Sequence, residues 1–199
     1  MLNLYSVVTD SQSSMQVARL LLRIRRTSTA FAPATPMFSS SSTARAASTM
    51  ALTPPFTREI AEKKVKIAQD LWNTMDPARV TKAYTEDCIW RNRTTFVKGH
   101  DEIEQFLTQK WAKETQYRLR KELFAFTDNK IAVQFWYEWW DAKEKSWYRT
   151  YGLEDWTFAA DGRMQKRQMS GNDLKITEEE RWFTAGVDVN SVEIGPEHW

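Results

Sequence analysis

The chain is predicted to fold as an α+β domain in which three helices precede a mainly antiparallel sheet. Three observations carry this expectation. Apolar residues recur at helical spacing between residues 58 and 114, and four extended segments separated by brief turns follow between 117 and 170. The second of these segments, residues 131–140 (IAVQFWYEWW), is apolar or aromatic at nearly every position. A strand with two apolar faces needs cover on both. The preceding helices can cover one face, and a second copy of the chain covers the other most economically. A homodimer enclosing charged residues among aromatics is therefore expected.

The elements follow in order. Thr57 is placed as the N-cap of a helix over 58–74, with Ala61, Val65, Ala68, Trp72 and Met75 on one stripe and Ile67 and Leu71 beside it. Asp76-Pro77 restarts a short helix, with a capping side chain followed by proline at the first helical position. Residues 88–93 form a short strand. Ile103, Phe106, Leu107 and Trp111 mark a third amphipathic helix over 101–114. The extended segments are 117–126, 130–141, 147–158 and 163–170, joined at Asp128-Asn129, at the polar loop 142–145 and at Asp161-Gly162. Thr177 and Glu180 form a capping box opening a short terminal helix that carries Trp182 and Phe183, and a loose tail is expected over 184–199.

Composition changes near Met50. Residues 1–50 hold five Arg, no Lys, one acidic residue (Asp10) and sixteen Ser or Thr, the profile of a targeting leader. Within it, residues 15–26 place Arg19, Arg23 and Arg26 on one side of a helix and Val17, Leu20, Leu21 and Ile24 on the other. A mitochondrial destination is expected first. Residues 29–33 (TAFAP) resemble the cleavage motif of plastid proteins in algae with complex plastids, and a cytosolic form starting at Met50 is the other alternative. The folded domain is thus expected over 51–183.

Without the leader the chain carries 23 basic and 25 acidic side chains, against 28 and 26 for the whole, so its basic pI describes the leader. No basic groove for nucleic acid is implied. No apolar run approaches the roughly 18 residues of a membrane span, so no membrane insertion is expected. Cys88 is the single cysteine, which excludes an internal disulfide and a thiolate metal cluster. His100 and His198, the only histidines, are not spaced as a triad or a metal site, and no metal or organic cofactor is expected.

Residues 83–87 (AYTED) leading into Ile89-Trp90, then Gly99 before Ile103 and Phe106, resemble the nuclear transport factor 2-like, or SnoaL-like, superfamily over about residues 55–173. The strings PPFTRE (54–59), WRNR (90–93), FL..KWA.E (106–114), YRL.KEL.AF (117–126), IAV.F.YEW (131–139) and W.R.YG.E.W (147–156) are similar to one branch of it, domain-of-unknown-function family 1348. The resemblance implies an α+β cone, usually a homodimer, with a pocket between sheet and helices. It implies no particular reaction, because the superfamily spans isomerases, dehydratases, cyclases and binding proteins. The place of the carboxylate base in the ketosteroid isomerase relatives falls on Asn92, an amide that cannot take a proton.

Candidate site residues come from strand parity. With 142–145 as the loop, Glu138 lies opposite Arg149, Trp140 opposite Trp147 and Trp136 opposite Tyr151. Glu138 is the candidate acid or base and Arg149 the group that orients an anion or carbonyl; Trp136, Trp140, Trp147 and Tyr151 are candidate stacking surfaces. Trp90 and Asn92 share a face and look into the cone. Glu154 and Arg167 can pair across the next hairpin. The expected function is small-molecule binding, with cofactor-free lyase or isomerase chemistry. The alternative is a non-catalytic dimeric scaffold.

Overall fold

The computed structural model describes residues 51–199; the leader and the amphipathic helix expected within it lie outside the described residues. The elements are α1 (Arg58–Trp72), α2 (Pro77–Thr81), β1 (Tyr84–Asn92), β2 (Thr95–Lys98), α3 (Gly99–Lys113), β3 (Glu114–Phe126), β4 (Lys130–Asp141), β5 (Ser146–Phe158) and β6 (Met164–Ile176). One open six-stranded sheet runs in the order β2-β1-β6-β5-β4-β3. All neighbours are antiparallel except β1 and β6, which pair in parallel. The α+β cone is as expected. Strand β2 is an addition, a four-residue strand that turns back through Arg93 at φ 57°.

Helix α1 forms where the apolar stripe predicts. Thr57 Oγ1 accepts from Ile60 N at 3.3 Å, and Ile60, Ala61, Val65 and Trp72 are buried against the sheet. Each large apolar side chain so buried contributes roughly 1.5–3 kcal/mol. Polar side chains of α1 and its C-cap fix the helix along β3: Gln69 Oε1 accepts from Lys121 N at 3.0 Å, and the C-cap Asn73 both accepts from Leu119 N at 2.8 Å and donates to Leu119 O at 2.9 Å. This register between helix and strand sets where Lys121 sits.

Two register shifts in the β3–β4 pair, the first next to Gln116 at φ 51°, bend the long strands. Gly152 allows a closer approach inside the curve, since a Cβ there would lie 2.1 Å from Phe135 Cζ. The concave face packs Ile131, Val133, Phe135, Tyr137 and Trp139 of β4 against Trp72, Trp90, Ile103, Leu107 and Trp156.

The convex face is where expectation and structure part. The chain after Thr177 forms no α-helix, although Thr177 N does donate to Glu180 Oε2 at 2.7 Å. Residues 184–199 are not a loose tail. Phe183 and Val189 are buried against Trp136, with Tyr151, Trp182, Val192 and Ile194 packed around them. Arg118 donates to Thr184 O at 2.7 Å and Trp136 Nε1 to His198 O at 2.9 Å. The chain's own C-terminal strap therefore covers the second apolar face of β4.

Candidate functional site

Strand register between β4 and β5 is as the loop length predicts, with Glu138 opposite Arg149, Trp136 opposite Tyr151 and Trp140 opposite Trp147. These six residues come together, but on the convex face beneath the strap rather than in the cone. Glu138 accepts from Arg149 Nε and Nη2 at 2.9 and 2.7 Å, and from the successive backbone amides of Trp182 and Phe183 at 2.9 and 3.0 Å. The Arg149 guanidinium lies 3.4 Å from the Trp182 ring centre, and that of Arg181 lies 3.5 Å from Trp147. Side-chain alternation gives the physical reason: Phe135, Tyr137 and Trp139 point inward, so Trp136, Glu138 and Trp140 must point out. Glu138 anchors the strap.

Of the expected site residues, Trp90 and Asn92 face the interior. There they meet a cluster of buried charges. Glu154 accepts from Arg167 Nη2 at 2.7 Å and pairs with Lys121 Nζ at 2.9 Å, while Arg167 Nη1 donates to Asn92 Oδ1 at 3.1 Å. Aromatic rings enclose both cations. Lys121 Nζ lies 4.9–5.7 Å from the ring centres of Phe135, Trp156 and Trp72, and Arg167 lies 4.7 and 4.9 Å from Trp72 and Trp90. Lys110, Tyr117 and Tyr137 complete the lining, and Lys110 donates to the Tyr137 hydroxyl at 3.2 Å. The space left among them is about 10 Å³, room for one water.

Burial and pairing set the protonation of this cluster. Burial alone would raise the Glu154 pKa, but the charges and hydrogen bonds of Arg167 and Lys121 outweigh it and hold the carboxyl at about 2. Lys121 shifts the other way from a typical paired lysine. Burial depresses it and Arg167 repels it, and the carboxylate it shares with Arg167 restores only part of the loss, leaving it at about 8. Burial likewise lowers Lys110, yet Tyr137 and Glu114 more than compensate and its pKa is raised. Burial pushes the Tyr117 hydroxyl well up and the Cys88 thiol to about 12, so Cys88 is not a thiolate nucleophile.

Among the described residues no group of three or more His, Cys, Asp and Glu side chains is arranged to hold a metal ion, and no helix is long and apolar enough to cross a membrane. A second concavity, an open apolar groove of about 480 Å³, lies on the convex side of β2, β1 and β6 beside the strap-free half of the sheet. Ile89, Phe96 and Val97 line it with Arg91, Lys98 and Lys166, and Phe96 is 77% exposed.

An open curved sheet closed by three helices around a polar interior is the architecture of the nuclear transport factor 2-like, or SnoaL-like, superfamily. The chain belongs to the family described as "Protein of unknown function (DUF1348)", which matches residues 54–184. No curated protein matches the chain. Solved structures share the fold at low identity. SalBIII, an epoxide hydrolase/cyclase-like enzyme of pyran ring formation in polyether salinomycin, is 12% identical with a TM-score of 0.52, covering 57% of this chain and 92% of its own. A protein of unknown function from Burkholderia pseudomallei is 17% identical with a TM-score of 0.51, covering 56% and 90%. A hypothetical protein with a ketosteroid isomerase-like fold from Catenulispora acidiphila, solved with trimethylamine, is 8% identical with a TM-score of 0.50, covering 54% and 84%. Identities this low speak for the fold alone.

Proposed function

We propose that the protein binds a small molecule inside the cone and acts on it by acid–base chemistry of the isomerase or lyase type, with Lys121 as the base. One observation carries the proposal: a fully buried lysine beside a carboxylate–guanidinium pair, its pKa brought down to about 8. Buried ion clusters are poor devices for stability, since apolar residues of equal volume usually serve as well or better. A lysine tuned close to neutrality is suited to accept a proton. Glu154, itself fixed by Arg167, holds the amine in place, and the hydroxyls of Tyr117 and Tyr137 supply proton donors nearby. The ligand-free interior is nearly full, so entry requires side chains to move; Met169, flexible about three bonds, lines the void. Native mass spectrometry of the purified full chain and of Lys121→Met tests this. A small-molecule adduct present in the first and lost in the second supports the interior site. An adduct unchanged by the substitution moves the site elsewhere.

A second reading, a dimeric interaction module, is favoured by the groove on β2, β1 and β6. Ile89 and Phe96 are exposed there, and Leu153 is exposed on the same face. We propose that a second copy covers this half of the sheet. Sedimentation of the full chain should show a dimer that Phe96→Asp dissociates, and a wild-type monomer at micromolar concentration removes this reading.

A further inference from the structure

The interior cluster has more positive charge than its own carboxylate can balance, and its remaining hydrogen-bonding capacity is that of a donor. Lys121 and Arg167 share one oxygen of Glu154, and all three side chains are at least 97% buried. Among the described residues the third guanidinium nitrogen, Arg167 Nε, is buried with no hydrogen-bond partner. Asn92 has its oxygen engaged by Arg167, so its amide offers only N–H donors. The void touches Lys121, Arg167, Asn92 and the two tyrosines together.

From this geometry we infer that the ligand of the cone is a monocarboxylate whose oxygens take up the unused donors of Arg167, Asn92 and Lys121. The inference rests on the interior site proposed above and names the class of molecule it takes. A single negative charge completes the balance of two cations against Glu154, whereas a phosphate dianion overshoots it. The void of about 10 Å³ holds no more than a water, so the carboxylate, like any occupant of the interior, enters by displacing side chains. The surrounding side chains of Trp72, Leu119, Phe135 and Met169 suit an apolar body behind the carboxylate. An arriving anion also favours the charged form of Lys121, so binding near pH 8 takes up a proton, and Lys121 then serves as base in the fraction of complexes, growing with pH, whose amine is neutral.

The test uses acetate and acetamide, nearly isosteric probes that differ in charge, titrated calorimetrically into the full chain at pH 8 in two buffers of different ionisation enthalpy. Acetate should bind at least about tenfold more tightly than acetamide, the worth of one charge-assisted hydrogen bond. Its binding should be accompanied by proton uptake that Lys121→Met abolishes. Asn92→Asp supplies the missing charge within the chain, so it should suppress acetate binding and raise thermal stability. Equal binding of the two probes overturns the anion assignment while leaving an interior site for neutral ligands. Acetate binding that persists in Asn92→Asp, or that takes up no proton, overturns it as well. Failure of both probes to bind also rejects the assignment, and an adduct in native mass spectrometry that Lys121→Met removes would then leave the interior site standing.

Discussion

Replacing Lys121 with methionine should stabilise the protein at neutral pH and lose that advantage in alkali. The amine is depressed from an ordinary 10.5 to about 8, so holding it charged in the fold costs on the order of 3 kcal/mol relative to the unfolded chain. The attraction of Glu154 is already contained in that figure, because the depression is what remains after the carboxylate has acted. Methionine keeps an unbranched apolar stem among Trp72, Phe135 and Trp156 and leaves Glu154 balanced by Arg167. A gain of about 1–3 kcal/mol at pH 7 follows, its lower end reflecting imperfect packing of the thioether. The pH dependence has a definite sign. Above about pH 8 the folded wild type gives up this proton while the unfolded chain keeps it to about 10.5, so wild-type stability rises across that window. The variant has no such group. Its advantage should therefore shrink by about 3 kcal/mol between pH 7 and pH 10.5. Urea unfolding of both proteins at the two pH values, followed by circular dichroism with m-values compared, measures this directly. A variant less stable than wild type at pH 7, or an advantage that does not change with pH, refutes the electrostatic account of the cluster.

Glu154→Gln is expected to do the opposite, leaving two buried cations without their carboxylate at a cost of about 3–5 kcal/mol in urea unfolding. Because Glu154 is held at about 2 against an ordinary 4.5, its stabilisation is complete above pH 4.5 and is lost as pH falls toward 2; this acid limb should be missing from the variant. Glu138→Gln should cost about 3 kcal/mol by leaving Arg149 buried without its partner, and should speed proteolysis within residues 177–199. It should not alter acetate binding, and a change there would tie the strap to the interior. We also propose that residues 1–50 direct a fused reporter to an organelle, mitochondria first, whereas translation from Met50 leaves it in the cytosol; an unprocessed cytosolic full-length fusion counts against the leader.

The fold could be read because its signals were local. Helical stripes, the N-cap at Thr57 and the turn residues each determine one element, and the four-residue loop alone sets Glu138 opposite Arg149. The orientation of the sheet was different. Trp136-Tyr137 and Trp139-Trp140 put an aromatic on each face, so parity says which residues go together but not which group goes in. Gly152 held a clue, since a position that must admit the Phe135 ring belongs to the concave side with Glu154 two residues on. Lys121 carried no clue of its own, and only α1 and β3 together reveal it as buried. The strap left a weak trace in Val187, Val189, Val192 and Ile194, an apolar spacing too irregular for helix or strand.

The one parallel pairing in the sheet also has a consequence for the order of assembly. Strands β4 to β6 can add as hairpins to their immediate predecessors, but β1 must wait for β6, whose paired residues lie 77–80 positions later in the chain, before its inner edge is paired. During synthesis α1, α2 and α3 therefore leave the ribosome with Trp72, Trp90 and Trp111 still lacking most of the sheet they pack against, and Arg167, which joins Glu154 to Asn92, emerges last of the cluster. We expect pulsed hydrogen exchange during refolding to protect the amides of β3–β5 before those of β1, with simultaneous protection as the outcome that rejects this order.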